Sequence, residues 1–305
     1  MIRPATPDDA DAIWNIFQKV VAGRDTYTFL PETARDEAVG YWLGRDAIAR
    51  VAEIDGRVVG MYKVIDNQRG LGAHVANASF MVHPSASGRG VGYAMGADSL
   101  REARHQGYDA MQFNFVVSTN TRAVDLWRRL GFRIVGTLPR VFRHGTLGLV
   151  DAFVMYRELD DVVPSFGTRP ASSPVIERPS AYAVVTEARD EIAIVEAKEG
   201  RLLPGGGIDA DESAEAAAVR EVAEECALEV TIEGDLGQAV QLVTSSETGA
   251  TFEKRSRFMS ARVQSRMTGA TAEHPTTWLN VRDALETVTY ESHAWAIRRW
   301  RRLNS

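Results

Sequence analysis

Hydrophobic spacing divides the chain into elements before any chemistry is considered. Behind Thr6-Pro7-Asp8, a helix start, Ile13, Ile16, Phe17 and Val20 fall three and four apart and form one apolar stripe. A strand is expected over 2–5 and a second helix over 32–43. Residues 49–54 and 58–64 read as strands flanking Asp55-Gly56, a hairpin turn signal. A strand over 75–82 follows, then a helix from about Gly90, a strand over 111–117 and a helix over 121–130. Strands over 132–135 and 151–156 close the sheet. Hairpins mixed with crossover helices predict an α+β layered domain.

Near residue 160 the pattern breaks. The segment DDVVPSFGTRPASSPVIERP, residues 160–179, holds four prolines with serine and glycine, which is linker composition. The expected division is a first domain over 1–160, a linker over 161–179 and a second domain over 180–305. A length of 305 residues accommodates two domains. In the second region Val219, Val222, Ala223 and Cys226 recur at helical spacing. Alanine-rich 214–218 favours the helix, and either Asp211 or Ser213 can cap it. Glu221, Glu224 and Glu225 are expected on its opposite, polar side.

Composition adds limits. With 45% hydrophobic and 25% charged residues, the chain reads as soluble and globular. A net charge of −6 argues against broad nucleic-acid binding. Arg298, Arg299, Arg301 and Arg302 make a local basic cluster, most simply the solvated end of a helix. The single cysteine, Cys226, excludes an internal disulfide and fits a reducing compartment. It lies on the apolar stripe, as a packed thiol would. No run is long enough to span a bilayer, and the N-terminus lacks a signal-peptide core. A cytoplasmic protein is expected.

The most informative chemistry lies in GGIDADESAEAAAVREVAEECAL, residues 206–228. Read alone, its three glutamates are a solvated acidic face. Clustered like charges repel, however, and Arg220 is the only nearby cation on the helix to offset them. A hard divalent cation relieves that repulsion through oxygen ligands. The segment resembles the Nudix hydrolase signature, G-x5-E-x7-R-E-U-x-E-E-x-G-U with U aliphatic, except that Ala227 replaces a glycine. The resemblance implies a Nudix-like α/β/α sandwich with a mixed sheet. It implies that Glu221, Glu224 and Glu225 hold Mg²⁺ or Mn²⁺ for attack of water on a diphosphate, with Glu221 either a ligand or a base. Arg220 would orient Glu221, and Glu212 would brace the loop through Arg220. Glu273 is the candidate for an extra carboxylate from a later loop, with Glu253 and Glu247 as further options. An alanine at 227 is expected in a left-handed conformation, at a cost of about 1 kcal/mol.

A second motif pair lies upstream: VHPSASGRGVG, residues 82–92, and NTRAVDLWRRLGF, residues 120–132. A glycine-rich turn entering a helix presents free N–H groups and a positive dipole end to an anion. Together the segments resemble the GNAT superfamily of acetyl-CoA-dependent acetyltransferases over about the first 160 residues. The resemblance implies a mixed sheet flanked by helices. It assigns the CoA pyrophosphate to Gly88, Arg89, Gly90, Val91 and Gly92, with Ser87 and Tyr93 at the edges. Met81 and Val82 would contact the pantetheine arm through the backbone, and Asn120 the cofactor. Two positions depart from the pattern. Ser87 replaces a longer Gln or Arg, and Trp127 stands where many members use tyrosine as the general acid. An indole N–H cannot act as that acid, and packing is its simpler role. Glu53 is a candidate base for the acceptor amine.

The fold class expected is therefore α/β (α+β) in two domains. The function expected is a bifunctional enzyme: acetyl transfer from acetyl-CoA to an amine, and Mg²⁺-dependent hydrolysis of a nucleoside diphosphate linked to a group X. X is ADP-ribose, an oxidised nucleotide or a dinucleotide polyphosphate among the options. The alternative is an active Nudix hydrolase whose other half binds or senses acyl-CoA. A homodimer is an expected option for the first domain, and neither membrane nor nucleic acid is an expected partner.

Overall fold

The computed structural model describes residues 1–171, 174–187, 191–245 and 248–304. It divides into two compact units, Met1–Arg104 with Tyr108–Val162, and His105–Gly107 with Val163–Ser305.

In the first unit, β1 (Ile2–Pro4), β2 (Ile48–Ile54), β3 (Arg57–Asp66), β4 (Val75–Val82), β5 (Ala110–Val117), β6 (Arg133–His144) and β7 (Gly148–Glu158) form one sheet. Among the described residues the strand order is β1-β2-β3-β4-β5-β7-β6. The β2–β3 turn has Asp55 and Gly56 both at positive φ, 50° and 71°, as a tight hairpin requires. Helices α1 (Ala10–Val21) and α2 (Arg35–Leu43) bury Ile13, Ile16, Phe17, Val21, Ala38 and Trp42 against Val51, Met61 and Met81 on one face. Helices α3 (Val91–His105) and α4 (Thr121–Arg129) cover the other, where Met95, Leu100, Val124 and Trp127 meet Tyr62, Met111 and Phe113. The closing strands β6 and β7 run well past the short segments expected from the sequence. Their outer halves alternate weakly in hydrophobicity, so periodicity does not mark them.

The strand pairing at the centre opens this unit. β4 and β5 are parallel and pair only at Val75↔Ala110 and Ala76↔Met111. Beyond those residues no pairing joins them, and a bulge between Phe113 and Val116 bends β5.

Among the described residues the second unit carries an eight-stranded mixed sheet, with path β11-β10-β9-β14-β13-β8, β12 on β9 and β15 on β10. Its strands are β8 (Ser165–Phe166), β9 (Val175–Thr186), β10 (Glu191–Ala197), β11 (Gly200–Leu202), β12 (Gly205–Gly207), β13 (Leu228–Thr244), β14 (Thr251–Arg266) and β15 (Thr276–Asn280). Both β8 and the start of β9 fall inside the proline-rich 161–179 segment and join the sheet there. Helix α5 (Ala214–Cys226) packs Ala217, Ala218, Val222 and Cys226 on one face, against Ala181, Ala183, Val185 and Met259. Helices α6 (Val281–Thr287) and α7 (Glu291–Asn304) pack Val281, Ala284, Trp295, Ile297 and Trp300 on the other, against Tyr182, Val184 and Phe258. The layers are thus helix, sheet, helix. Arg299 of the C-terminal arginine cluster is buried on α7 and not part of a solvated end.

Candidate functional site

The second unit builds its site around a glycine turn and α5. Gly205 has φ of 140°, and a Cβ there would lie 2.3 Å from the Ala181 carbonyl, so only glycine fits. At Gly206 a Cβ would lie 2.5 Å from the Glu221 carboxylate, so the missing side chain lets that acid reach the backbone. Ser213, not Asp211, caps α5, accepting from the Ala216 N–H at 3.1 Å. Ala227 ends the helix in the left-handed region, at φ 54° and ψ 41°.

Arg220 is the hub of the cluster. Its Nε and one terminal nitrogen donate to Glu212 at 3.0 Å each, a bidentate pair. The other terminal nitrogen donates to Glu221 at 3.0 Å and Glu224 at 3.1 Å, and a further bond reaches the Gly207 carbonyl at 3.0 Å. Arg220 holds the Glu212 carboxyl below the usual carboxylate range. Glu212 also accepts from the Asp209 N–H at 3.1 Å, tying the loop to the helix.

Glu225 behaves differently. The sequence places all three glutamates on the polar side, yet Glu225 is buried and Glu224 exposed. At 100° per residue, Glu225 stands between Glu221 and the buried Ala218, so it turns inward. It accepts from the Gly205 N–H at 2.9 Å, and His274 Nε2 lies 3.7 Å away. Burial pushes its carboxyl up to about 7, against the pull of the Gly205 N–H and with added repulsion from Glu221, Glu273 and Glu199. The N–H groups of Glu273 and His274 bind the Glu224 and Glu225 carbonyls at 3.1 and 3.2 Å, which fixes that loop against the end of α5.

These donors fit a hard divalent cation in kind, since they offer carboxylate oxygens and one is buried without a close cation. They do not yet enclose one. Among the described residues no three acidic, histidine or cysteine side chains converge on a metal-sized point, because Arg220 draws Glu221 and Glu224 to itself. Glu253 lies apart, paired with Arg255 at 2.5 Å. Glu247 lies outside the described residues. Cys226 is a buried free thiol, pushed up to about 11 by its burial.

In the first unit, the opening between β4 and β5 is part of a cleft of about 1430 Å³. Met81, Val82, Ser87, Gly88, Gly90, Val91, Gly92, Tyr93 and Asn120 all line it. Arg89 does not; its side chain is exposed at the turn. Gly88 and Gly90 have positive φ, 76° and 80°, and let the chain turn sharply into the first turn of α3. Gly92 serves packing, since a Cβ there would lie 3.3 Å from Leu126. Asn120 caps α4, accepting from the Ala123 N–H at 3.2 Å.

Strand parity decides which β4 groups face the opening. The His83 N–H binds the Val59 carbonyl and the Asn67 N–H binds the Val75 carbonyl, both at 2.8 Å. In an antiparallel ladder bonded pairs recur every second residue. Residues 75, 77, 79, 81 and 83 therefore turn their backbone groups toward β3, and 78, 80 and 82 turn theirs toward the opening. The expectation for Val82 is compatible with this geometry. Met81 is different: its backbone is committed to Met61.

Glu53 is not in the cleft. Its carboxylate binds Arg3 at 2.6 and 2.9 Å, and Arg3 also pairs with Asp9. Trp127 is buried, its ring centroid 4.7 Å from those of both Phe80 and Phe113, which is a packing role. Sequence reasoning missed the loop between α1 and α2, whose Tyr27 and Phe29 line the cleft. It also missed an amide cluster, in which Asn77 and Asn114 donate to Asn67 at 3.2 and 2.7 Å. These residues lie in three separate segments, so no motif announces them.

Comparison with known proteins finds a family match in each unit. The model for the acetyltransferase (GNAT) family matches residues 11–132, and that for the NUDIX domain matches residues 176–300. A GCN5-related N-acetyltransferase structure from Kribbella flavida is 42% identical, with TM-score 0.50, over 52% of this chain and 96% of that one. The chain belongs to the GNAT acetyltransferase family through its first unit and carries a NUDIX domain in its second. Both are enzyme domains. N-acetyltransferase aca1 of Schizosaccharomyces pombe is 32% identical over 98 residues, 32% of this chain. The match spans 47%, about half, of that protein's length. A Salmonella typhimurium protein solved with its cofactor acetyl-CoA is 24% identical, with TM-score 0.48, over 56% of this chain and 98% of that one. Among the described residues no helix is long and apolar enough to cross a membrane.

Proposed function

We propose that the chain is a bifunctional enzyme. Its first unit transfers acetyl from acetyl-CoA to an amine, and its second hydrolyses a nucleoside diphosphate linked to a group X with Mg²⁺. The observation that carries the first activity is the opening between β4 and β5, continuous with the Gly88–Gly90 turn. The pantetheine arm lies along β4, where the outward groups of Val82 can pair with its amides. The pyrophosphate sits at the start of α3, where first-turn N–H groups lack helix partners. The amine then attacks the thioester carbonyl from the α1–α2 side, and CoA leaves as the thiol.

For the second activity the supporting observation is Glu225, a buried carboxylate beside two further glutamates and a glycine turn. Glu221, Glu224 and Glu225 would hold the ion, with Glu273 close by. When bound, the ion supplies charge neutralisation at the diphosphate and a more acidic water. Arg220 and Glu212 keep the turn and α5 in register. Arg220 must release Glu224, or share it, for that carboxylate to serve.

One observation favours the alternative for the first unit, a module that binds acyl-CoA without chemistry. The carboxylates lining its cleft, Asp25 and Asp125, are both exposed, and Glu53 is committed elsewhere. A single preparation decides. Acetyl-CoA is supplied with a panel of amines and free thiol is followed. Mg²⁺ is supplied with ADP-ribose, oxidised nucleotides and dinucleotide polyphosphates, and phosphate products are followed. Thermal stabilisation by acetyl-CoA with no thiol released from any amine supports the alternative. No diphosphate cleaved, with no Mg²⁺ bound, removes the hydrolase reading.

A further inference from the structure

The outward edge of β4 already has a partner. Tyr27, on the loop between α1 and α2, accepts from the Phe80 N–H at 3.0 Å and donates to the Phe80 carbonyl at 2.7 Å. Phe80 is one of the residues whose backbone faces the opening. A phenol oxygen thus stands where an oxygen accepting from that edge would stand.

We infer that Tyr27 is a catalytic residue of the acetyl-transfer site, donating its O–H to the thioester carbonyl oxygen alongside the Phe80 N–H. This rests on the acetyl-transfer reading and deepens it.

Three observations converge on Tyr27. First, among the tyrosines lining the cleft it is the one bonded to the β4 backbone. Tyr41 instead meets the Ser79 hydroxyl at 2.8 Å, and Tyr93 is exposed at the turn. Second, its ring is braced: Phe29 stacks at 6.3 Å and is itself held edge-on by Phe17 and Tyr41. The hydroxyl can change partners by rotation and a small displacement while the ring stays supported. Third, burial, reinforced by Tyr41, pushes the Tyr27 hydroxyl far above the usual tyrosine range. It therefore stays a neutral donor. Trp127, packed among aromatic rings, supplies no hydroxyl of this kind.

The step balances without an added reagent. The neutral amine donates its lone pair to the carbonyl carbon, forming C–N, and the carbonyl π pair moves to oxygen. That oxyanion accepts from the Phe80 N–H and the Tyr27 O–H, two preorganised donors in a partly dry cleft. On collapse the C=O re-forms, C–S breaks, and the pair leaves on sulfur. The ammonium proton goes by way of water to the thiolate. Tyr27 keeps its proton throughout.

The test is Tyr27→Phe, read by the infrared carbonyl stretch of bound ¹³C-acetyl-CoA and by steady-state kinetics. The stretch should move to higher frequency in the variant. Its kcat should fall by ~10²-fold, while the KM for acetyl-CoA changes less than roughly threefold. Tyr41→Phe, which leaves the β4 backbone untouched, should leave the stretch unchanged. A stretch and kcat unaltered by Tyr27→Phe overturn the inference alone. A wild-type protein that binds no acetyl-CoA overturns the acetyl-transfer reading and the inference with it. Should Tyr27→Phe fail to fold, the wild-type stretch still decides. A frequency no lower than that of acetyl-CoA in water contradicts two donors.

Discussion

Replacing Glu225 with glutamine isolates the charge at the centre of the hydrolase site. The amide oxygen can still accept from the Gly205 N–H, so shape and one hydrogen bond survive. In the metal-free protein, burial lifts the Glu225 carboxyl from 4.5 to about 7. At about 1.36 kcal/mol per pH unit, that is on the order of 3 kcal/mol. A carboxyl raised on folding contributes stability that is fully present below its unfolded pKa and is lost as pH climbs through the folded one. Metal-free wild type should therefore lose about 3 kcal/mol between pH 4.5 and 7 from this group alone. Glu225→Gln should not, so the variant should be the more stable protein at pH 8 and equal to wild type at pH 4. Saturating Mg²⁺ at ~100 times its Kd should return about 2.7 kcal/mol to wild type and much less to the variant. Native-state hydrogen exchange across α5 and β12 is the suitable assay, because it reads this site without the unfolding of the first unit. The same pH dependence in both proteins, or equal protection of both by Mg²⁺, would refute the reasoning.

Three further substitutions act at other positions. Ala227→Gly relieves a left-handed alanine at φ 54° and should stabilise the second unit by about 1 kcal/mol in urea titration, without changing activity. Gly206→Ala drives a Cβ into the Glu221 carboxylate; diphosphate hydrolysis should fall at least ~10²-fold with the circular dichroism spectrum intact. Trp127→Phe should cost about 1–3 kcal/mol of stability through lost packing and change kcat for acetyl transfer little. A loss of transfer at undiminished stability would show that the indole does chemistry.

Much of the fold was legible because its periodicity is local. The α1 stripe, the Asp55-Gly56 turn and the 75–82 strand follow from spacing within a dozen residues. The α5 site was legible for a different reason: a fixed succession of Gly206, Glu212, Arg220 and three glutamates lies within one turn and one helix. What the sequence concealed depends on distant segments. The inward turn of Glu225 needs the Gly205 strand paired to β9 before its burial has meaning. Arg220 holding both Glu221 and Glu224 is the outcome of a competition among side chains, and spacing cannot rank such outcomes. Tyr27 sits 53 residues from Phe80 in a loop without periodicity, so nothing local marks it. The displacement of Glu53 follows from Arg3 lying beside it across the β1–β2 pair.

The most direct test is one diffraction experiment on crystals grown with Mn²⁺ and acetyl-CoA, recorded at the manganese absorption edge. An anomalous peak is expected within coordination distance of Glu225 and Glu221, with the Arg220 contacts to Glu221 or Glu224 rearranged, and acetyl-CoA lying between β4 and β5. A manganese peak elsewhere, or no peak while the glutamates remain bound to Arg220, would contradict this expectation.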